Sequence, residues 1–406
     1  MSGMHLRNND RYEATGTSMT PTAPQAHGTL AKLSRLLRSH GALQSGSGLA
    51  TGVIAFALAA LSVLAVIAFH FPAYLTTPEL RKNYDVNVLR AILLGAMLVA
   101  GALALLNIAF GRVRWLSGCA FAVLTLAAVL GGHTVPVGDF PDGTPYIGLD
   151  WFILDLLGTT LIFVFVEKLF ALRREQPLFR AEWQTDLAHF LLNHLLVGFF
   201  FLATNRIVHA GFDWAVDSSL QARIRSLPFA LELLVLALVA DFVQYWIHRA
   251  YHQVPLLWRF HAIHHSIESM DWLAGSRMHM VEVLITRTLV LAPIVVLGFD
   301  KAVIDAYIIL VGFQAVLNHS NVSVPLGPLA RAIVTPNFHH WHHAQDREAL
   351  DRNFAAHFTF LDTLFGTAVR SGAPWPQRYG VKDDYVPKGI VAQTLFPFVW
   401  NGRRPD

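Results

Sequence analysis

The sequence predicts an all-α fold: a polytopic membrane bundle of helices capped by a histidine-rich metal site. Hydrophobic residues make up 54% of the 406 residues and charged residues only 15%, against roughly 25% charged residues in soluble domains. Several apolar runs are long enough to cross a bilayer as helices, which takes about 20 residues. Twelve of the 20 histidines lie between residues 248 and 357, where an even spread would place about five.

Net charge and cysteine content exclude several classes of protein. The net charge of +3 does not suggest a nucleic-acid partner. The single cysteine, Cys119, lies inside an apolar run and cannot form an internal disulfide. This argues against a disulfide-stapled secreted fold and against thiolate metal ligands. The ligands of a metal in this protein must therefore be nitrogen and oxygen.

The N-terminal part divides into a tail and a membrane bundle. Residues 1–46 are rich in Ser, Thr, Gly and Pro without apolar periodicity, which predicts a flexible polar tail. The tail is too polar, and too long before the first apolar run, to be an ordinary cleaved signal peptide. The next region, residues 47–172, is predicted to be an N-terminal helical bundle with four spans, at about residues 49–71, 88–110, 117–132 and 151–169.

A basic connector at residues 167–182 predicts a domain boundary, with a second domain over residues 173–372 and a C-terminal tail over 373–406. Further membrane helices are predicted at about residues 187–202 and 227–247. The apolar runs 281–299 and 303–317 are separated by only a short break at 298–301. Such a short break predicts a helical hairpin that dips into the membrane and returns.

Short-loop Lys and Arg residues predict the orientation in the membrane. The tail and the connector are basic, and the loop after the second span carries Arg112 and Arg114. The loop between the third and fourth spans carries Asp139 and Asp142 but no Lys or Arg. This pattern places the tail, the connector and the histidines on the cytoplasmic side. Two basic residues in the loop after the first span depart from the pattern.

Eight histidines fall into three groups with helical spacing. Residues three or four apart share a face of an α-helix, and imidazole suits iron, zinc, copper and nickel. A single histidine is usually a surface or core residue, but this many unligated imidazoles beside a membrane would each need a hydrogen-bond partner. The spacing therefore predicts a site for more than one metal ion, with these ligands: His248 and His252; His261, His264 and His265; His339, His342 and His343.

Other ionisable residues near the groups are candidates for ligands or for supporting roles. Asp241 lies seven positions before His248 and could accept the free N–H of a ligating imidazole, or pair with Arg249 or another cation. His319 closes the predicted hairpin and is favoured as a further ligand over His279. Glu282 follows His279 by three residues and provides a carboxylate on nearly the same face.

The remaining histidines have weaker signals. His340 points about 100° away from His339 on a helix. It is therefore predicted either to lie behind the metal ligands and support one of them, or to lie on the surface. His357 is a weak ligand candidate. His189 and His194 lie in an earlier apolar helix, where they could be core residues or line a substrate channel.

Motifs of other metal proteins are missing from the sequence. There is no His-Glu-x-x-His, which argues against a zinc protease of that type, and no Cys-x-x-Cys-His for covalent haem. A membrane metal transporter or sensor stays an alternative, although it would more naturally hold its ligands at mid-membrane depth. A haem electron carrier is a second alternative, but two haem ligands would leave the other histidines unexplained.

The three groups resemble the histidine boxes of the fatty acid hydroxylase and sterol desaturase superfamily. The first box has three residues between its histidines, which resembles this superfamily more than the acyl-chain desaturases. The resemblance covers about residues 180–370 and leaves the four N-terminal spans outside it. It also includes five shorter motifs: Asp241-Phe-Val-Gln-Tyr-Trp-Ile, Arg277-Met-His279, Asn318-His319-Ser320, Asp351-Arg-Asn353-Phe and Leu361-Asp-Thr-Leu-Phe365-Gly-Thr.

This resemblance implies a membrane oxidoreductase with two iron ions, which zinc can replace in a purified form, and O2 as co-substrate. The implied reaction hydroxylates or desaturates a sterol, a fatty acyl chain or a related lipid, and the resemblance does not select among these. The sequence has no His-Pro-Gly-Gly-type cytochrome b5 module and no Gly-x-Gly-x-x-Gly fingerprint followed by a strand–helix pattern. We therefore expect a separate electron-donor protein, cytochrome b5-like or ferredoxin-like, with its reductase.

Overall fold

The computed structural model describes residues 49–111, 114–139, 141, 144, 146–324, 326–369, 375–400 and 402. Within these ranges the protein has sixteen α-helices and no β-strand, only three isolated bridges. The prediction of an all-α fold is confirmed. The predicted tail over residues 1–46, together with Arg112 and Asp142, lies outside the described residues.

The first part of the chain is a bundle of long apolar helices. Its elements are α1 (Leu49–His70), α2 (Pro72–Leu75), α3 (Pro78–Arg81), α4 (Val86–Phe110), α5 (Arg114–Val129), a 3-10 turn (Gly132–Thr134) and α6 (Leu149–Leu169). Helices α1, α4 and α5 pack through a core of five buried alanines, at positions 55, 59, 100, 104 and 120. Small side chains let helix backbones approach closely, which is how membrane helices commonly associate.

The second part carries the histidine groups. Its α-helices are α7 (Trp183–Leu195), α8 (Val197–Phe212), α9 (Ser218–Arg225), α10 (Phe229–Gln253), α11 (Pro255–His265), α12 (Met280–Leu297), α13 (Lys301–His319), α14 (Pro336–His342), α15 (Phe360–Leu364) and α16 (Ile390–Val399). Short 3-10 turns lie at Asp213–Ala215, Ala274–Ser276, Gly327–Arg331, Arg347–Ala349 and Lys382–Asp384. The segment predicted as a C-terminal tail thus contains α16, which packs against α11 through Phe396 and Trp258.

The apolar run over residues 187–202 is not one helix. It is divided between α7 and α8, which are bent by 54°. Gly198 lies just after the bend, and a Cβ there would be 2.1 Å from the carbonyl oxygen of Tyr146. The chain before α6 therefore crosses the start of α8 at a distance that only glycine permits.

Seven of the described helices are long and apolar enough to cross a membrane, and an eighth span results if α7 and α8 are counted as one. The protein is therefore a multi-pass membrane protein. Both α12 and α13 are among the seven, so each is long enough to cross without forming a hairpin that dips in and returns. The break between them is where the sequence places it, because Gly298 ends α12 in a left-handed conformation with φ +65°.

Polar contacts between helix ends fix the two ends of the bundle. At one end, His70 at the C-terminus of α1 bonds to the Leu130 carbonyl just after α5, and Arg90 near the N-terminus of α4 bonds to the Val135 carbonyl. At the same end, the Thr77 backbone N–H bonds to Asp150 at the N-terminus of α6. The other end of α6 lies beside the histidines. There the Glu167 carboxylate accepts hydrogen bonds from the backbone N–H groups of Trp272 and Asn321.

Candidate metal centre

Nine histidines converge in two buried groups. The first group contains His248, His252, His261, His265 and His342, and the second contains His264, His319, His339 and His343. Within each group, one nitrogen from every ring lies within 4.8 Å of the others. All nine are among the ten ligands predicted from the sequence, and the tenth, His279, belongs to neither group.

Helix geometry explains how three short motifs supply two groups. His248 and His252 lie on one face in the last turns of α10, and His319 is the last residue of α13. On α11, His264 is turned about 100° from His265, so it reaches the second group while its neighbour stays in the first. The same offset at the end of α14 separates His342, in the first group, from His343, in the second. The second and third motifs are thus shared between the two groups, which spacing alone does not reveal, whereas His248 and His252 of the first motif both lie in the first group.

Six of the nine rings have Nδ1 bound to an oxygen of the protein. His248, His342, His264 and His319 have a backbone carbonyl partner at 2.7–3.1 Å, on Phe354, Arg352, Arg277 and Ala315 respectively. His261 and His252 have a carboxylate partner, Glu282 and Asp351 respectively. A carbonyl oxygen can only accept a hydrogen bond, so the Nδ1 atoms of the first four rings carry the hydrogen. A neutral ring of this kind keeps its lone pair on Nε2.

In each group, two such lone pairs face each other. The Nε2 atoms of His248 and His261 are 3.1 Å apart, and those of His264 and His319 are 3.2 Å apart. The Nδ1 atoms of His264 and His319 both donate to carbonyls, so neither ring of that pair has a hydrogen to place between the nitrogens. The same holds for His248 and His261 when the Glu282 carboxylate is ionised and accepts from His261 Nδ1. Only a cation held between them, or protonation of one ring, removes the repulsion.

Protonation is disfavoured for four of the imidazoles of the two groups that lie on α11 and at the third motif. Burial, and then the neighbouring imidazoles, hold the pKa of His264, His265, His339 and His343 well below the ordinary value of 6.5. These rings are neutral at pH 7, which is the form that binds a metal ion. Buried neutral imidazoles with converging Nε2 atoms fit two nitrogen-ligated ions, one in each group.

The loop at residues 351–354 supports the first group, and the sequence did not predict this role. It supplies the Asp351 carboxylate to His252. It also supplies the backbone carbonyl of Arg352 to His342 and that of Phe354 to His248. Asp351 and Asn353 have φ of 56° and 59°, a left-handed conformation that Asp and Asn tolerate better than most residues. The Asn353 side chain ties the loop to α14 by donating to the Phe338 carbonyl.

Asp241 does not have either of its predicted partners. Its carboxylate contacts neither an imidazole nor Arg249, and accepts three successive backbone N–H groups at residues 356–358, at 2.7, 3.0 and 2.8 Å. The Asp362 carboxylate accepts two more, from Phe354 and the residue after it. Both carboxylates therefore fix the backbone that presents the Phe354 carbonyl, and they act on the rings only through it.

Glu282 and His279 have different roles although they are close in sequence. Glu282 is buried and accepts a hydrogen bond of 2.7 Å from His261 Nδ1, so it supports an imidazole of the first group. His279 Nδ1 accepts from the backbone N–H of Val281 and caps α12, and its Nε2 donates to the Thr394 carbonyl. Both nitrogens of His279 are occupied by the protein, so the structure does not support its predicted role as a ligand.

The other histidines also lie outside the two groups. His340 is fully buried rather than on the surface: its Nε2 donates to the Ser320 carbonyl, and its Nδ1 accepts from the Tyr379 hydroxyl at 2.8 Å. Burial lowers the pKa of His340 to about 3. His357, the weak candidate, bonds instead to Tyr307 and Gln314.

His189 and His194 serve packing within the described part of the chain. His189 is buried and contacts the Met278 carbonyl and the side chain of Gln393, which ties α7 to α16. His194 bonds to the Asp155 carboxylate of α6 at 2.6 Å. Of the two readings left open by the sequence, these contacts favour core residues over a channel lining.

The sequence is similar to a known protein family and to several proteins of named function. Residues 233–367 match the family model for fatty acid hydroxylase. The chain is 28% identical over 262 residues to an ornithine lipid hydroxylase of Rhizobium tropici, covering 63% of this chain and 77% of that protein. It is 30% identical over 127 residues to human alkylglycerol monooxygenase, covering 31% of this chain but only 28% of the relative.

A third relative is a very-long-chain aldehyde decarbonylase of Oryza sativa, 30% identical over 141 residues, which cover 34% of this chain and 46% of the relative. No solved structure matches the chain. Helices α1 to α9 precede the region matched by the family model.

Proposed function

Because the chain belongs to the fatty acid hydroxylase and sterol desaturase superfamily, we propose that its two histidine groups hold two iron ions and that the enzyme uses O2 to oxidise a C–H bond of a membrane lipid. The observation that supports this most directly is the pair of facing Nε2 atoms in each group, His248 with His261 and His264 with His319. Bound iron would supply the redox chemistry needed to activate O2, which amino-acid side chains lack.

The chain's own residues hold the site and shield it. Phe354 and Trp258 each lie with their ring centroids 5.1 Å from that of His252. Tyr251 stacks on His261 at 5.2 Å. All three aromatic residues are buried. A shell of this kind keeps bulk water from the reacting atoms, which prevents side reactions of a strong oxidant.

The position of the site suits a lipid substrate. Helices α10 and α13 end at the centre, so the groups lie where membrane helices emerge rather than at mid-depth. We place this end on the cytoplasmic side, because the basic connector with Lys168, Arg173 and Arg174 leaves α6 at the same end. A lipid chain could then reach the site from the bilayer.

We propose hydroxylation of an intact polar lipid as the reaction. The names of two relatives, ornithine lipid hydroxylase and alkylglycerol monooxygenase, support this over desaturation. Residues 173–372 would form the catalytic domain, preceded by the separate bundle of residues 47–172. The electrons would come from a separate cytochrome b5-like or ferredoxin-like protein and its reductase.

The two alternatives fit the geometry less well. A metal transporter or sensor would hold its ligands at mid-membrane depth, whereas these lie at helix ends. A haem carrier needs two imidazoles, and nine converge here. Metal analysis and an absorption spectrum of the purified protein test the haem alternative: we expect two irons per chain, while a Soret band would indicate haem. A protein that binds no metal would refute the proposal.

The reaction is tested by lipid profiling. We expect a strain that lacks the gene to lose a lipid species heavier by one oxygen atom than its precursor. Wild-type protein should restore that species and His343→Ala should not. If the missing species instead differs by two hydrogens, the enzyme is a desaturase. An unchanged lipid profile under conditions in which the gene is expressed would contradict both reactions.

A further inference from the structure

The turn at residues 271–277 contacts both rings of the facing pair in the second group. The Arg277 carbonyl accepts the hydrogen bond from His264 Nδ1 at 3.1 Å. Gly275 lies against the other ring, because a Cβ at this position would be 2.8 Å from His319 Nδ1. The position of this turn therefore constrains both the His264 ring and the His319 ring.

Four buried charges hold the turn in place. Arg180 bonds to Asp186 of α7 at 2.6 Å and to Asp271 at 2.8 Å, and Asp186 also bonds to the Arg277 guanidinium. The side chain of each is at most 6% exposed, and the partly exposed Glu182 carboxylate lies 3.8 Å from the Arg277 guanidinium. Asp271 in addition accepts the backbone N–H of Ala274. Asp186 is shared by both guanidinium groups, so its removal leaves Arg180 with Asp271 alone and Arg277 with only the more distant Glu182. Buried charges that lose a partner in this way are destabilised.

Two of these charges come from outside the region matched by the fatty acid hydroxylase family model, which begins at residue 233. Arg180 lies on the connector and Asp186 on α7. Neither contacts an imidazole of the two groups. Their effect on the site passes through the turn, and the two interactions described above both involve rings of the second group.

We propose that Arg180 and Asp186 are positioning residues for the metal ion of the second group, and that they set its affinity while leaving the first group unchanged. The inference rests on the proposed function, since it takes the second group as a metal site. The two groups would then differ in what supports them. The 351–354 loop and Glu282 support the first, and the connector and α7, through the turn, support the second.

The test is ferrous iron binding to the full-length protein, purified without metal and titrated anaerobically. We expect wild type to bind two irons. Asp186→Asn should keep one at wild-type affinity and bind the other about 10- to 100-fold more weakly, the usual cost of losing a group that orients a ligand. Gly275→Ala should give the same result by pressing on His319. The matched control is Asp155→Asn, which removes a carboxylate bonded to His194 of the same helix and should keep both irons.

Double variants identify which ion is lost. Asp186→Asn combined with His343→Ala should still bind one iron tightly, because both changes affect the second group. Asp186→Asn combined with His252→Ala should bind none tightly. If Asp186→Asn keeps two tight sites, or loses both, the inference is wrong. If that variant does not fold, Arg277→Lys decides by the same criteria. Wild type without bound iron would instead refute the proposed function.

Discussion

Two histidines of the third motif, His340 in α14 and His343 just after it, should respond to alanine in opposite ways. His343 belongs to the second group and His340 does not, although both are buried. We predict that His343→Ala abolishes activity and loses the iron of its group, because it removes a ligand. His340→Ala should keep both irons, with metal affinity weakened by about 10-fold at worst.

The cost of His340→Ala should appear in stability instead. The ring donates one hydrogen bond and accepts another. Each of these hydrogen bonds contributes about 0.5–1.5 kcal/mol to the free energy of unfolding. Its removal also leaves a buried carbonyl at Ser320 and a buried hydroxyl at Tyr379 with one partner fewer, and a cavity the size of the ring. Together these effects should lower the free energy of unfolding by about 2–4 kcal/mol.

Both quantities can be measured on the same samples, as iron per chain by elemental analysis and as the thermal unfolding midpoint of the metal-free protein in detergent. His340→Ala should lower the midpoint and keep its iron. His343→Ala should lose iron, and its metal-free midpoint should change less. If His340→Ala loses iron as completely as His343→Ala, the assignment of faces on α14 is wrong and both residues are ligands.

Further predictions concern the supporting residues and the pH dependence. Glu282→Gln removes the charge beside His261 and should weaken only the first-group iron, by about 10- to 100-fold, as titration with ferrous iron would show. Asp241→Asn should lower the unfolding midpoint, because an amide oxygen replaces a carboxylate that accepts three N–H groups, and an unchanged midpoint would contradict this role. Burial lowers the pKa of His340 to about 3 and of His357 to about 4, from 6.5 in the unfolded chain. The unfolded state therefore takes up protons first as the pH falls, and the metal-free protein should lose up to ~1.4 kcal/mol per pH unit for each histidine below pH 6.5. Chemical denaturation between pH 7 and pH 5 measures this slope, and a flat profile would refute it.

The sequence was sufficient for the properties that follow from local geometry. Apolar runs of about 20 residues predicted the long helices, because a bilayer core has a fixed thickness. Histidines three or four apart predicted shared faces, because the α-helix has a fixed period. His340 was separated from His339 and His343 on this basis, and the structure keeps it out of both groups. Eight of the nine converging histidines belong to these spaced motifs, and the ninth, His319, was predicted from its place at the end of the hairpin.

Only the tertiary structure determined how the groups are divided and what supports them. The acceptors for His248 and His252 lie 106 and 99 residues further along the chain, a separation at which no helical period carries information. His279 was a candidate ligand in the sequence, yet it caps α12, because the end of that helix offers it an unpaired backbone N–H. Asp241 faces the loop rather than a ring for a similar reason, since five successive N–H groups at residues 354–358 needed buried acceptors. Local spacing decides which side chains can share a face, and the hydrogen-bond requirements of the folded backbone decide which of them are left to bind a metal.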